Sequence, residues 1–139
     1  METIHWIQAG FYFFAIIGIW LSWKTFKANQ RVRRAEWLQS LFERFYEKDT
    51  YKDARRWIDF KLLEKELAND PDHKKEEKLA DYLNFFEFIA MLDKMKQLSL
   101  SEIKLLFLYY LDQIKQSAFC MQYVKESGYR NLSNLLARI

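Results

Sequence analysis

Between Ile4 and Trp23 the chain carries no Lys, Arg, Asp or Glu. As a helix rising about 1.5 Å per residue, this 20-residue stretch spans about 30 Å, the hydrocarbon thickness of a bilayer. Its interior, Gly10 to Leu21, is apolar almost throughout. Trp6 lies near one end and Trp20 and Trp23 near the other, where indole rings favour the headgroup boundary. Buried helices of soluble domains seldom run this long without a charge. The pattern therefore predicts a transmembrane helix. Nothing basic precedes the apolar run except the α-amino group. Bulky Trp20, Leu21 and Trp23 stand where a cleavable leader would need small residues. The segment is expected to stay on the protein as an anchor.

Charge placement predicts the orientation. Lys24, Lys27, Arg31, Arg33 and Arg34 follow the apolar run, with no acid until Glu36. Basic flanks stay on the cytoplasmic side. The expected protein is a single-pass protein of the cell inner (plasma) membrane, with its N-terminus outside and its C-terminal domain in the cytoplasm. Residues 1–23 form the transmembrane anchor, 24–34 a basic juxtamembrane helix and 35–139 a cytoplasmic helical bundle. The five cations can rest against anionic lipid headgroups, at about 1 kcal/mol each. A net charge of +3 is too small to imply nucleic acid, and no specific nucleic-acid partner is expected. Gln8, Tyr12, Ala15, Gly18 and Ser22 place polar and small groups along one stripe of the span. Such a stripe in lipid suits a second helix, with self-association, even around a pore, as its outcome. The other reading is a lone anchor whose small residues are incidental.

Three glycines, one proline and no strand pattern make the chain all-α. One cysteine excludes a disulfide scaffold and any cysteine-cluster metal site, and two histidines leave little for a His-based catalytic or metal centre. The first helix should continue to about residue 47, presenting Trp37, Leu38, Leu41, Phe42, Phe45 and Tyr46 as one apolar face. Thr50-Tyr-Lys-Asp53 reads as a capping box opening a second helix, with Ala54, Trp57, Ile58 and Leu62 as its buried stripe. Asn69 to Lys75 holds the only proline and is the clearest break. His73 there is expected to be solvated. A third helix spans about Glu76 to Met95, and its stretch Tyr82 to Leu92 is apolar on nearly every side, except for Glu87. A buried carboxylate needs a partner, and Arg55 or Arg56 on the second helix is the expected one. Ser99 and Glu102 form a second capping box, with Leu98 stapled onto Ile103. The fourth helix then runs to about Glu126, with Cys120 as a small core residue. Gly128 ends it, and a short last helix carries Leu132, Leu135, Leu136 and Ile139. The expected architecture is thus one N-terminal transmembrane helix continuing into a cytoplasmic four-helix bundle with a short C-terminal helix.

Motifs for catalysis are missing from the sequence. It contains no G-x-x-x-x-G-K phosphate loop, no G-x-G-x-x-G turn, no H-E-x-x-H zinc helix and no serine nucleophile elbow. The acids around Asp70 and Asp72 lack calcium-loop spacing. The chain is read as a non-enzyme with no cofactor and no metal. Leu83-Asn-Phe-Phe-Glu-Phe-Ile-Ala-Met-Leu92, Leu98-Ser-Leu-Ser-Glu-Ile103 and Phe107-Leu-Tyr-Tyr-Leu111 resemble a family of single-span bacterial membrane proteins with a cytoplasmic helical domain. The layout is also similar to the family of membrane accessory proteins encoded beside the RNA-targeting nuclease of type VI-B CRISPR loci. That resemblance implies a degenerate RNase-like bundle that assembles as a ring with a membrane pore. It points to an oligomeric membrane effector or accessory of antiviral defence. The alternative is a membrane-tethered adaptor whose bundle binds a cytosolic protein partner, through a patch around Tyr123, Tyr129 and Leu132.

Overall fold

A computed structural model describes the backbone from Glu2 to Ile139 and the side chains from Phe14 onward. Among the described residues the chain is all α-helical, with seven helices and no strand. They are α1 (Glu2–Glu47), α2 (Asp49–Asp59), α3 (Leu63–Ala68), α4 (Lys74–Lys94), α5 (Leu100–Gln116), α6 (Ala118–Glu126) and α7 (Arg130–Arg138). The chain divides into two compact units, Met1–Leu41 and Phe42–Ile139, and the boundary falls within α1.

Two of the expected helices are broken. The second stops at Asp59 and resumes as α3 because Lys61 takes a left-handed backbone, φ 54°. The amide of Leu62 then donates to Trp57 O at 2.7 Å and that of Lys61 to Ile58 O at 3.1 Å. These are the paired bonds of a Schellman end, which commonly uses glycine. The break turns Leu63, not the expected Leu62, fully into the core. The fourth helix breaks at Ser117, whose hydroxyl accepts from Cys120 N at 3.2 Å and starts α6. The Thr50–Asp53 capping box does not form. The helix opens earlier, after Lys48, with Asp49 in its first turn where the helix dipole favours an acid. Asp53 pairs with Lys78 instead, and Thr50 Oγ1 is buried without a hydrogen-bond partner.

Other ends follow the sequence. Ser99 and Glu102 make the reciprocal capping box of α5. Gly128, at φ 79°, closes α6, and Tyr129 N donates to Val124 O at 3.1 Å. Asp70 holds the first turn of α4, accepting from Lys75 N at 2.8 Å and Glu76 N at 2.9 Å. His73 is solvated as expected, with its ring nitrogen 3.1 Å from Glu76.

The Phe42–Ile139 unit is a helical bundle around an aromatic core. Phe45 is fully buried at its centre. Its ring stacks on Phe85 and meets Phe86, Phe107 and Tyr110 edge-on. Tyr51 and Tyr82 complete the cluster. Each such pair adds about 0.5–1.5 kcal/mol beyond area burial. α7 packs on α4 through Leu132, Leu135 and Leu136, all buried.

Candidate functional site

The described part of α1 within the Met1–Leu41 unit exposes apolar side chains around its whole circumference. Phe14 is 73% exposed and Ile19 71%, and Ile16, Trp20, Leu21, Trp23 and Phe26 are each more than half exposed. Removing apolar surface from water is worth about 25 cal/mol per Å², so such a cylinder gains strongly from an apolar surrounding. Of the predicted stripe, Ala15, Gly18 and Ser22 are exposed on this helix. A methyl group added at Gly18 would meet nothing within 4 Å. Gln8 and Tyr12 lie outside the described residues.

Below this cylinder sits a cationic collar. The ammonium of Lys24 lies 5.1 Å from the Trp20 ring centre, and that of Lys27 lies 3.9 Å from the Trp23 ring centre. Arg34 stacks on Trp37 at 4.7 Å. Arg31 and Arg33 are exposed. The one-turn spacings 20/24, 23/27 and 34/37 put each cation on the neighbouring indole, where ring quadrupole and charge attract. Among the described residues no helix is long and apolar enough to cross a membrane. The expected span of residues 4–23 falls partly on side chains outside that set.

In the Phe42–Ile139 unit the charged residues predicted to pair do not meet. Glu87 faces α7, not α2. Its carboxylate accepts from Asn131 N at 3.1 Å, Asn131 Nδ2 at 2.8 Å and Leu132 N at 2.7 Å. These are first-turn amides of α7, whose own N-cap residue, Tyr129, supplies no side-chain bond. Glu87 is therefore a cap delivered from another helix, and it also complements the positive end of the α7 dipole. Both its oxygens are thus engaged, which explains why an acid is tolerated within the apolar stretch Tyr82 to Leu92. Arg56 is exposed. Arg55 is buried at 8% exposure. Its guanidinium lies 4.8 Å from the Tyr46 ring, 5.1 Å from Phe45 and 5.8 Å from Tyr110. Its Nη2 donates to Tyr46 O at 2.9 Å.

Around Arg55 opens a cleft of about 340 Å³, lined by Tyr46, Lys52, Arg56, Asp59, Phe60, Tyr109 and Tyr110. The Asp59 carboxylate, followed by desolvation, raises the Tyr109 phenol above the usual tyrosine range. Sequence reasoning missed this cleft. Its only signal was three basic residues, Lys52, Arg55 and Arg56, at helical spacing beside Phe60, which also fits a solvated helix face.

The patch expected around Tyr123, Tyr129 and Leu132 is not a free apolar surface. Leu132 is completely buried. The phenols of Tyr123 and Tyr129 reach Glu76 and Ala80 O, each at 3.4 Å. The most exposed apolar side chains of this unit are instead Leu105, at 82%, and Phe60, at 69%. Cys120 is fully buried, and burial raises its thiol above the usual range. Among the described residues no three His, Cys, Asp or Glu side chains gather as a metal site would. No protein-family model, curated protein or solved structure matches the chain.

Proposed function

We propose that this chain is a single-pass bacterial membrane protein, seated in the plasma membrane by residues 4–23, with its helical bundle in the cytoplasm. The observation that carries it is the all-round exposure of large apolar side chains on α1 directly above a collar of indole-stacked cations. Lipid tails suit the cylinder, and anionic headgroups suit the collar. The bundle acts without chemistry of its own, as a self-associating effector or accessory of antiviral defence. Self-association is supported by the exposed Ala15, Gly18 and Ser22 stripe. The antiviral setting is supported by the family resemblance. In this reading a ring of bundles positions a ring of anchors, and a cytoplasmic trigger alters membrane integrity.

A tethered adaptor is the second reading. It is favoured by Leu105, Leu108 and Tyr109, apolar side chains left exposed on α5. Both readings require the anchor. After membranes are washed in alkaline carbonate, the full chain is expected in the pellet. A reporter fused after Ile139 is expected to be active only in the cytoplasm. Full-length protein in the carbonate supernatant would remove both readings.

A further inference from the structure

Arg55 is an unusual cation. It is nine-tenths buried, yet among the described residues no carboxylate pairs with it or with Arg56. A buried guanidinium without a counter-ion is costly. The rings of Phe45, Tyr46 and Tyr110 offset part of that cost by cation–π attraction. Tyr46 O accepts one bond, and the remaining donors of the fork are left for the cleft that Arg55 lines.

The walls of that cleft are of two kinds. Arg55, Arg56 and Lys52 bring three positive charges against a single acid, Asp59. Lys52 is shared with Asp49 at 2.9 Å, so the two arginines carry the net charge. The rim is aromatic: Phe60 is 69% exposed, Tyr109 56% and Tyr46 54%. Ring faces left in water beside unpaired guanidinium groups suit a planar, π-rich group attached to an anion. Arginine forks match phosphate oxygens, and bases stack on aromatic faces whatever their sequence identity. A volume of about 340 Å³ lies at the small end of the range for small-molecule sites.

We propose that this cleft binds a nucleotide, with the phosphate held between Arg55 and Arg56 and the base stacked on Phe60 and Tyr109. The site lies wholly in the Phe42–Ile139 unit and does not depend on the membrane reading. A lipid headgroup would use the cations but leave the rim bare. A phosphotyrosine would offer one small ring.

The test is calorimetric titration of the full chain in neutral detergent with AMP, GMP, CMP and UMP in turn, then with inorganic phosphate and free phosphotyrosine. At least one nucleotide is expected to bind saturably, and about tenfold more tightly than phosphate or phosphotyrosine. Arg56→Ala and Phe60→Ala alter exposed side chains and should leave the helical circular dichroism intact. Each is expected to weaken the nucleotide about tenfold, the size of one charged hydrogen bond or one stack. Arg55→Lys keeps the charge, loses the fork and is expected to weaken it similarly. The proposal is overturned if no nucleotide saturates below about 5 mM, a very weak affinity. It is equally overturned if phosphate or phosphotyrosine binds as tightly, or if the two exposed variants bind like the wild type.

Discussion

At the scale of single residues, charge is placed by what surrounds it. Glu87 caps α7 with both oxygens, and no other side chain does that work at this end. Glu87→Ala should therefore cost about 2 kcal/mol, the sum expected for a lost cap with charged bonds. For a domain near 100 residues this is a fall in melting temperature of about 10 °C. Glu87→Gln, which keeps acceptor oxygen but loses the charge, should fall in between. Thermal melts of the three proteins in one detergent check the order. Tyr82 is almost wholly buried, and burial, reinforced by Asp59, raises its phenol well above a free tyrosine's value of about 10. The folded state thus holds the phenolic proton where the unfolded chain would release it. Its contribution is complete below pH 10 and is lost as pH rises beyond that. Alkaline melts should show stability falling above pH 10, and less steeply in Tyr82→Phe. The acid at position 87 and its need of a partner were both legible from the apolar stretch Tyr82 to Leu92 with one carboxylate in it. The partner was not, because a backbone amide 44 residues away leaves no mark in local patterning.

Helix ends sort themselves by whether side chains or backbone close them. The Ser99 and Glu102 box and the glycine at 128 are side-chain signatures, and both stand where expected. Lys61 and Lys96 close α2 and α4 in the same left-handed conformation as Gly128, at φ 54° and 58°. Lysine does not advertise that conformation, which costs a non-glycine residue about 1 kcal/mol or more. It is tolerated here because Leu63 and Leu98, just beyond each turn, reach the core. In α1 the informative element is the small-residue stripe. A Cβ at Gly18 meets nothing within 4 Å in its own chain, so the position has room for the larger side chain of Gly18→Ile. A change in assembly would then report a neighbouring helix. The wild-type protein in detergent is expected to run as an oligomer by light scattering, and Gly18→Ile as a smaller one. An unchanged mass would remove the stripe as an interface and favour the lone anchor.

For the whole molecule, the two units have different sources of order. The first unit is the apolar and then basic part of α1, and Phe42–Ile139 is a bundle built on Phe45. The sequence by itself determined the all-helical class, the long uncharged run with its basic flank, and most of the buried residues. Those properties depend on spacing along one helix, and spacing is what a linear chain records. Only the tertiary structure decided that Glu87 caps α7, that Leu132 is buried rather than offered to a partner, and that Arg55 lies under aromatic rings at the floor of a cleft. Each of these depends on which helices lie side by side. Residues far apart in the chain meet there, and their geometry follows from packing volume and crossing direction, which no local period encodes.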